Sequence, residues 1–312
     1  MKFKPIVSII VPNYNHSKYL EQRIQTILMQ TYENYEIILM DDCSTDNSAD
    51  ILKKFQSNLK VSKLIINEAN SGTPFGLWEK GIEAANGKYI WIAESDDWSD
   101  SKFLEILVEQ LEKSDAVVAH CNSYIVNGIN IYLNNWWNSF KINKWEHSYI
   151  EEGIKLLNLY GKYKCPIINV SSAIFKKEVL KTEFFPNQYR FCGDWWFWIQ
   201  LFNIGKVAYV PYPMNFVRLH NESTTGSDIY SIDKLKENVL IINELSKTLK
   251  EKLVFSEQYD WVIDMWLNVI IEKNKYYSLR YHNIDLPISF KYIFYKRLFI
   301  LILRKLKFKL IK

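Results

Sequence analysis

The chain has 312 residues, of which 48% are hydrophobic and 24% are charged. This length allows a substantial buried core, and this composition excludes a disordered protein. The net charge of +4 is uneven, because residues 288–312 carry eight cations and no acid, which leaves residues 1–287 at −4. A mildly acidic body argues against nucleic-acid binding, so we expect no nucleic acid partner.

The N-terminus and the cysteines favour a cytoplasmic protein. The first apolar run is interrupted at Pro12, so it predicts a strand rather than a signal peptide. No run reaches the ~18 apolar residues that cross a bilayer. The four cysteines are scattered, with neither a CxxC pair nor metal-ligand spacing. We interpret them as reduced thiols.

Apolar strands and amphipathic helices alternate through the first hundred residues. Strands are predicted over residues 6–11, 35–40, 61–66 and 88–93. One helix is predicted over residues 17–30 and a second is predicted to begin after an N-cap at Asp46. A third is predicted over residues 75–85, with its C-cap at Asn86-Gly87. Strands that are apolar throughout and alternate with helices are typical of a parallel sheet covered on both faces. The sequence therefore predicts an α/β fold.

Polar clusters follow three of these strands: Asn13–Asn15, Asp41-Asp42 and Glu94–Asp97. Ligands of such sheets bind beyond the carboxyl ends of the strands, so we expect one shared crevice. The three carboxylates within Glu94–Asp97 repel one another unless a hard cation such as Mg²⁺ or Mn²⁺ neutralises them. The alternatives are a solvated turn before a helix near Ser101, and an Asx-turn at Asp41-Asp42.

The second half of the chain contains a Trp-rich helix and then two predicted short strands within residues 206–220. Asp194 is either a functional acid or the N-cap of a helix that begins at Trp195. His220 is either a ligand or a structural histidine. Helical patterns prevail beyond about residue 228, so we divide the chain into domains at residues 1–226 and 227–312.

Glycines near the third predicted strand do not form a known phosphate loop. Gly72 and Gly76 belong to neither a GxGxxG nor a GxxxxGKS motif. A dinucleotide-binding dehydrogenase and a P-loop NTPase therefore lose their main support.

Three segments, in this order, resemble family 2 glycosyltransferases, which are inverting enzymes with the GT-A fold. The first carries PNYN and DDCSTD, the second carries NSGTPFG and ESDD, and the third carries CGDWW and the Arg218-x-His220 pair. The resemblance covers about residues 5–225. It implies a GT-A catalytic domain with a largely parallel central sheet, followed by a helical C-terminal region.

The resemblance also implies a donor site for a nucleotide sugar, with a UDP-linked donor expected. Asp42 would hold the base, with Pro12 and Tyr14 beside the ring. Lys80 would meet the diphosphate in place of an arginine that the family often carries. Further donor contacts are expected from Gly72, Glu94, Ser95, Asp96 and Arg218.

For the metal and the acceptor, the resemblance implies that Mg²⁺ or Mn²⁺ is held by Asp96, Asp97 and His220. Asp194 would be the catalytic base. Glu94 and Gly193 depart from the family pattern. The family more often has an aspartate at the position of Glu94 and an acidic residue at the position of Gly193. Burial should raise the pKa of Asp194 and the helix N-terminus should lower it, and the sequence does not decide between them.

The function that follows is transfer of a hexosyl or N-acetylhexosaminyl group to a hydroxyl of a glycan or lipid-linked acceptor, in envelope polysaccharide synthesis. The alternatives are a sugar nucleotidyltransferase and a non-catalytic assembly subunit with a degenerate site. Residues 288–312 mix cations with apolar side chains, so they predict either a segment bound to the inner membrane surface or a helix packed on protein.

Overall fold

A computed structural model describes residues 5–134, 143–161, 163–220, 232–249, 260, 262–264, 267 and 288–310. The strands are β1 (Val7–Asn13), β2 (Tyr35–Asp41), β3 (Val61–Ile66), β4 (Tyr89–Ile92), β5 (Trp98–Ser99), β6 (Val118–Asn127), β7 (Asn130–Leu133), β8 (Tyr149–Glu152), β9 (Ala173–Lys176) and β10 (Lys206–Leu219). The helices are α1 (Ser17–Leu28), α2 (Ser48–Phe55), α3 (Pro74–Ala84), α4 (Phe103–Lys113), α5 (Gly153–Leu156), α6 (Gly193–Ile204), α7 (Ile232–Thr248) and α8 (Ile288–Leu310).

The described strands join in one sheet with the order β3-β2-β1-β4-β9-β6-β10-β5, with β7 beside β6 and β8 beside β10. The pairs β2–β3, β1–β2, β1–β4 and β6–β10 are parallel, whereas β9 is antiparallel to β4 and β6. The predicted α/β fold with a largely parallel sheet is confirmed. The chain leaves β1 toward β2 and β3 and returns on the other side of β1 as β4. This reversal is where ligands bind in open sheets.

Both faces of the sheet are covered, as the apolar strands predicted. Val7, Ile9 and Val11 of β1 pack with α1 and α4, whereas Ile10 packs with α3 and α6. Successive side chains of a strand point to opposite faces, so this one strand contributes to two cores.

Helices α7 and α8 pack against the α3–α6 face of the sheet. Val239 and Ile242 of α7 belong to the same core as Ile10. Phe290 and Phe294 of α8 are 1% and 6% exposed in that core. The first turns of the basic segment therefore pack on protein. The predicted boundary at residue 226 lies outside the described residues. Among the described helices, none has both the length and the apolar character needed to cross a membrane.

Two predicted helix ends are wrong. The N-cap of α2 is Asn47, one residue beyond the predicted Asp46. The Asp46 carboxylate still accepts a hydrogen bond from the N–H of Ser48, the first residue of α2, and another from the N–H of Ser17, both at 2.9 Å. Helix α3 ends at Ala84 without a glycine cap. Gly87 is instead required by close approach to β1, because a Cβ there would lie 2.5 Å from the Ser8 nitrogen.

The two short strands predicted within residues 206–220 are one strand. β10 runs for 14 residues beside β6, with register shifts between Val210 and Pro213 and between Pro213 and Asn215. Proline has no N–H to donate to the ladder, so the sequence there suggested a break. The irregular register absorbs the prolines while the strand continues.

Candidate active site

The ends of β1 and β2 carry the first polar cluster. Asn13 Nδ2 donates to Asp41 Oδ1 at 2.8 Å. Asp41 also accepts from the N–H of Ser44 at 2.9 Å and from its hydroxyl at 2.6 Å. The Asx-turn predicted as an alternative for this pair of acids is therefore formed by Asp41, whereas Asp42 contacts the loop that follows β3.

Asp42 contacts the loop that follows β3. Its carboxylate accepts from Asn67 Nδ2 at 2.6 Å and from the Ser71 hydroxyl at 2.7 Å. Gly72, at φ +78°, follows Ser71 in a conformation that strains other residues. Lys80 Nζ donates to Asn67 Oδ1 at 2.9 Å. Three residues predicted to bind the donor thus lie in one hydrogen-bonded group: Asp42, Gly72 and Lys80.

Pro12 and Tyr14 differ in accessibility. Pro12 is buried within β1 beside Met40 of β2. Tyr14 is 44% exposed just beyond the strand. Of the two residues expected beside the nucleotide base, Tyr14 is the one that offers an open ring face for stacking.

The acidic turn after β4 is cross-linked by distant residues. Glu94 Oε1 accepts from Trp78 Nε1 of α3 at 3.0 Å. Ser171 donates its hydroxyl to Asp97 Oδ2 at 2.8 Å and accepts from the N–H of Glu94 at 3.0 Å. Asp97 Oδ1 accepts from the N–H of Arg218 at 3.2 Å. The turn is therefore a fixed part of the sheet edge rather than a solvated turn.

Burial and mutual repulsion perturb the carboxyl groups of this turn. Burial raises the pKa of Glu94 to about 8 and that of Asp97 to about 7, and the charge of Asp96 adds to both rises. Burial opposes ionisation of Asp96 as well, but the hydrogen bond from His220 and the proximity of His16 hold the pKa of Asp96 below its usual value. Asp96 is thus the acid of this turn that most favours a negative charge.

A buried arginine lies behind the turn. Arg23 of α1 is 0% exposed, and its guanidinium carbon lies 4.9 Å from the ring centroid of Trp91. Its three guanidinium nitrogens find no hydrogen-bond partner among the described residues. Burial lowers the pKa of Arg23 to about 10, against the opposing charges of Asp97, Asp96 and Glu94. Arg23 therefore stays cationic at neutral pH and offsets part of their charge.

The structure brings together His16, Asp96 and His220 in an arrangement suited to a metal ion. One ligand atom from each can be chosen so that all lie within 4.8 Å of one another. His220 Nε2 lies 2.9 Å from Asp96 Oδ2, and His16 Nδ1 lies 2.9 Å from the Ser95 hydroxyl. Asp97 was predicted for this group, but its oxygens contact Ser171 and the Arg218 N–H instead. His16 was missed, although it directly follows the polar cluster after β1.

Arg218 is packed beneath the acidic turn. Its guanidinium carbon lies 4.1 Å from the ring centroid of Tyr19 and 4.6 Å from that of Trp98. One guanidinium nitrogen donates to the backbone oxygen of Asp96, and another donates to Gln22 Oε1 at 2.7 Å. These contacts hold the turn in position, and they engage two nitrogens of the Arg218 guanidinium with protein acceptors.

Asp194 is the second residue of α6, whose N-cap is Cys192, so the predicted N-cap role of Asp194 is wrong. Its Oδ1 accepts from the Trp195 N–H at 2.7 Å. Burial raises the pKa of Asp194 to about 6, although the Trp195 N–H and the Lys234 charge act to lower it. Of the two opposing effects expected at this residue, burial prevails.

The absence of an acid at position 193 has a steric cause. A Cβ on Gly193 would lie 2.4 Å from two ring carbons of Phe75. Phe75 and Trp78 lie one turn apart on α3. Helix α3 therefore contacts both the start of α6 and, through Trp78, the acidic turn.

Serine at position 171 and the buried Arg23 had no recognisable sequence pattern, because their contacts are made over long separations in the chain.

Sequence comparison identifies relatives across the N-terminal part of the chain. Residues 8–184, more than half of the chain, match Glycosyl transferase family 2. The glycosyltransferase GlyG of Streptococcus pneumoniae is 40% identical over 119 residues, which are 38% of this chain and 39% of GlyG. TuaG of Bacillus subtilis, named for teichuronic acid biosynthesis, is 36% identical over 115 residues, which are 36% of this chain and 45% of TuaG. Both matches cover less than half of the relative.

Solved structures share the fold over most of the chain. S. aureus TarS 1–349 in complex with UDP-GlcNAc aligns with a TM-score of 0.61 at 17% identity, covering 85% of this chain and 71% of TarS. The mannosyltransferase PcManGT of Pyrobaculum calidifontis, with GDP-Man and Mn²⁺, aligns with a TM-score of 0.60 at 15% identity, covering 89% and 78%. The fold is the GT-A fold of glycosyltransferases. The chain belongs to glycosyl transferase family 2.

Proposed function

We propose that this glycosyltransferase inverts the anomeric centre while it moves a sugar from a nucleoside diphosphate to a hydroxyl group of a glycan or lipid-linked acceptor. The observation that carries this proposal is Asp194 in the first turn of α6, where partial burial raises the pKa of its carboxyl to about 6. A carboxylate with that pKa is ionised at neutral pH and still accepts a proton more readily than an ordinary aspartate.

In this mechanism Asp194 removes the proton of the acceptor hydroxyl as the oxygen attacks the anomeric carbon. The bond from that carbon to the diphosphate oxygen breaks on the opposite face, so a single displacement inverts the configuration. The described turn residues Glu94 and Asp97 hold Asp96 in place through their contacts with Trp78 and Ser171. Asp194 then carries the proton until it exchanges with solvent.

A divalent cation fits the group formed by His16, Asp96 and His220. The donor set of one carboxylate and two imidazoles suits Mn²⁺ better than Mg²⁺, which prefers a shell of oxygen ligands. When bound, such a cation offsets the charge that develops on the departing diphosphate. Asp97 is proposed to support this group without binding the cation, since its oxygens contact Ser171 and the Arg218 N–H.

For the donor, we propose a UDP-linked hexose or N-acetylhexosamine bound with its base near Asp42 and Tyr14. Asp42 lies 2.7 Å from the Ser71 hydroxyl, so a base that reaches this carboxylate would join an existing hydrogen-bonded group. TarS binds UDP-GlcNAc and PcManGT binds GDP-Man. These two relatives in fold differ in their nucleotide, so both nucleotides belong in the test.

For the acceptor and location, we propose envelope polysaccharide synthesis at the inner face of the membrane, from the cytoplasm. TuaG supports a role of this kind through its name. Tyr292, Phe299 and Ile300 of α8 are 68%, 61% and 41% exposed. Exposed apolar side chains among cations are typical of a helix that lies in the membrane interface.

A panel of UDP- and GDP-sugars, each with Mn²⁺, Mg²⁺ or chelator, tests the proposed function. We expect one UDP-sugar to be hydrolysed or transferred with release of UDP, and Mn²⁺ to support the higher rate. Release of pyrophosphate from a nucleoside triphosphate and a sugar phosphate would instead identify a nucleotidyltransferase. Calorimetry that detects neither UDP nor GDP binding, together with no turnover, would favour a non-catalytic subunit.

A further inference from the structure

A carboxylate from the C-terminal helix α7 contacts the loop that precedes Asp194. Glu237 Oε1 accepts from the N–H of Arg190 at 2.8 Å. Glu237 Oε2 accepts from the N–H groups of Phe191 and Cys192, both at 2.8 Å. Three consecutive backbone donors therefore converge on one side chain that is 45 or more residues away in the sequence.

These contacts replace a cap that α6 lacks. Cys192 is the N-cap residue of α6 and has no side-chain capping hydrogen bond. Its thiol instead donates to Asn238 Oδ1 of α7 at 3.3 Å. A negative charge near the first turn of a helix is favourable, and hydrogen bonds to an ionised acceptor are stronger than neutral ones. Helix α7 thus supplies what the local sequence of α6 does not.

Charged groups of α7 also act on Asp194 itself. The charge of Lys234 favours the ionised form of Asp194, whereas the charge of Glu237 opposes it. The Cys165 and Cys192 thiols also lie close enough to interact with Asp194, and burial raises the pKa of each so that both stay neutral. Among the described residues, Lys234 and Glu237 are therefore the charges that distinguish the surroundings of Asp194 from a neutral apolar pocket.

We propose that Glu237 is a positioning residue for proton abstraction, which holds residues 190–192 so that Asp194 is presented to the acceptor hydroxyl. This inference rests on the proposed role of Asp194 as the base. The predicted C-terminal region would then contribute to catalysis, because α7 holds the loop that directly precedes the helix of Asp194. Misplacement of a catalytic group by about 1 Å costs about a hundredfold in rate.

Glu237→Gln tests this proposal, with Asp233→Asn as the matched control. The first change keeps the side-chain volume and removes the charge, and the second makes the same change on the same helix, at a residue that is 73% exposed and paired with Lys236. We expect E237Q to lower kcat by about tenfold to a hundredfold while KM for the donor changes by less than about twofold. The amides of residues 190–192 should exchange hydrogen faster in E237Q, and D233N should match the wild type.

A pH profile separates positioning from general support of the fold. Removing the Glu237 charge should move the acid limb of kcat to lower pH, because that charge raises the pKa of Asp194. Lys234→Met should move the limb to higher pH for the opposite reason. If E237Q does not fold, Glu237→Asp takes its place, and it should lower kcat without moving the limb.

The proposal would be overturned if E237Q had the same kcat, the same amide exchange and the same acid limb of the kcat profile as the wild type. Lower thermal stability with unchanged kcat and limb would overturn it too, since that result describes a structural role. An active Asp194→Asn variant would instead reject the proposed base. An inactive D194N beside a fully active E237Q would reject only the role of Glu237.

Discussion

The two sides of the crevice are built in different ways. On the side proposed to bind the donor, the turn Glu94–Asp97 lies just beyond β4, and its carboxylates are held by Trp78, Ser171, the Arg218 backbone and His220. On the side proposed to bind the acceptor, the Asp194 carboxylate accepts from the N–H of the next residue in its own helix. Glu237 of α7 supports this side indirectly, because it binds the backbone N–H groups of the loop that precedes α6.

This difference corresponds to two environments for a partly buried carboxyl group. Asp96 is surrounded by groups that favour its ionised form, so the pKa of Asp96 is held low. At Asp194 the loss of hydration on burial outweighs the Trp195 N–H and the Lys234 charge, so the pKa of Asp194 is raised to about 6. A permanent anion suits a cation ligand, whereas a carboxyl with a raised pKa suits an acid–base group.

The largest effect is expected from Asp194→Asn. The amide has nearly the same volume and cannot accept the proton, so transfer should fall by about 10²–10⁴-fold while UDP binding and thermal stability stay close to wild type. Wild-type kcat should also decline as the pH falls through about 6, because Asp194 becomes protonated there. Turnover is measured by UDP release and binding by calorimetry. Near wild-type turnover in D194N would remove Asp194 from this role.

Asp96→Ala should abolish the Mn²⁺-dependent part of UDP binding. Asp97→Asn is the matched comparison, since its oxygens contact Ser171 and the Arg218 N–H. We expect D97N to keep Mn²⁺-dependent binding and to lose about 1–3 kcal/mol of unfolding free energy, because a buried hydrogen bond is impaired. Calorimetry with and without Mn²⁺, together with denaturant unfolding, checks both. The opposite pattern would assign the ligand role to Asp97.

Asp42→Ala should weaken UDP binding by about tenfold to a hundredfold whether or not Mn²⁺ is present, since a hydrogen bond to a charged group contributes about 1.5–3 kcal/mol. The loss should lie in the nucleoside part of the ligand, so uridine should lose affinity to the same extent. Titration of uridine and UDP measures this. If only the metal-dependent component changed, the roles given to Asp42 and Asp96 would have to be exchanged.

The smallest effect on catalysis is expected from removal of residues 301–312. This deletion removes five of the eight tail cations and keeps Phe290, Phe294 and the ion pairs of Arg297 with Asp260 and Asp264. Co-sedimentation with phosphatidylglycerol vesicles should be lost, because each cation contributes about 1 kcal/mol near an anionic surface. Salt should release the full-length chain in the same assay. Equal vesicle binding by both proteins would reject the membrane role, and donor hydrolysis should not change.

The sequence alone was sufficient to predict strands β1 to β4, the helices between them and the acidic turn just beyond β4. These features are local, because the apolar period of a segment and the residues that end it decide its conformation. The order of polar clusters along the chain also placed Asp42, Asp96 and Asp194 near strand or helix ends. The fold class followed from this alternation without any knowledge of distant contacts.

Which side chains contact one another depends on the packing of distant elements. His16 and Ser95 are 79 residues apart in the chain, and Ser171 reaches Asp97 across 74 residues. The Phe75 ring that excludes a side chain at Gly193 comes from another helix, and Glu237 reaches the start of α6 from α7. Such contacts depend on how elements pack, which no local pattern encodes. For the same reason the balance between burial and the helix N-terminus at Asp194 was settled by packing, and burial prevailed over the Trp195 N–H and the Lys234 charge.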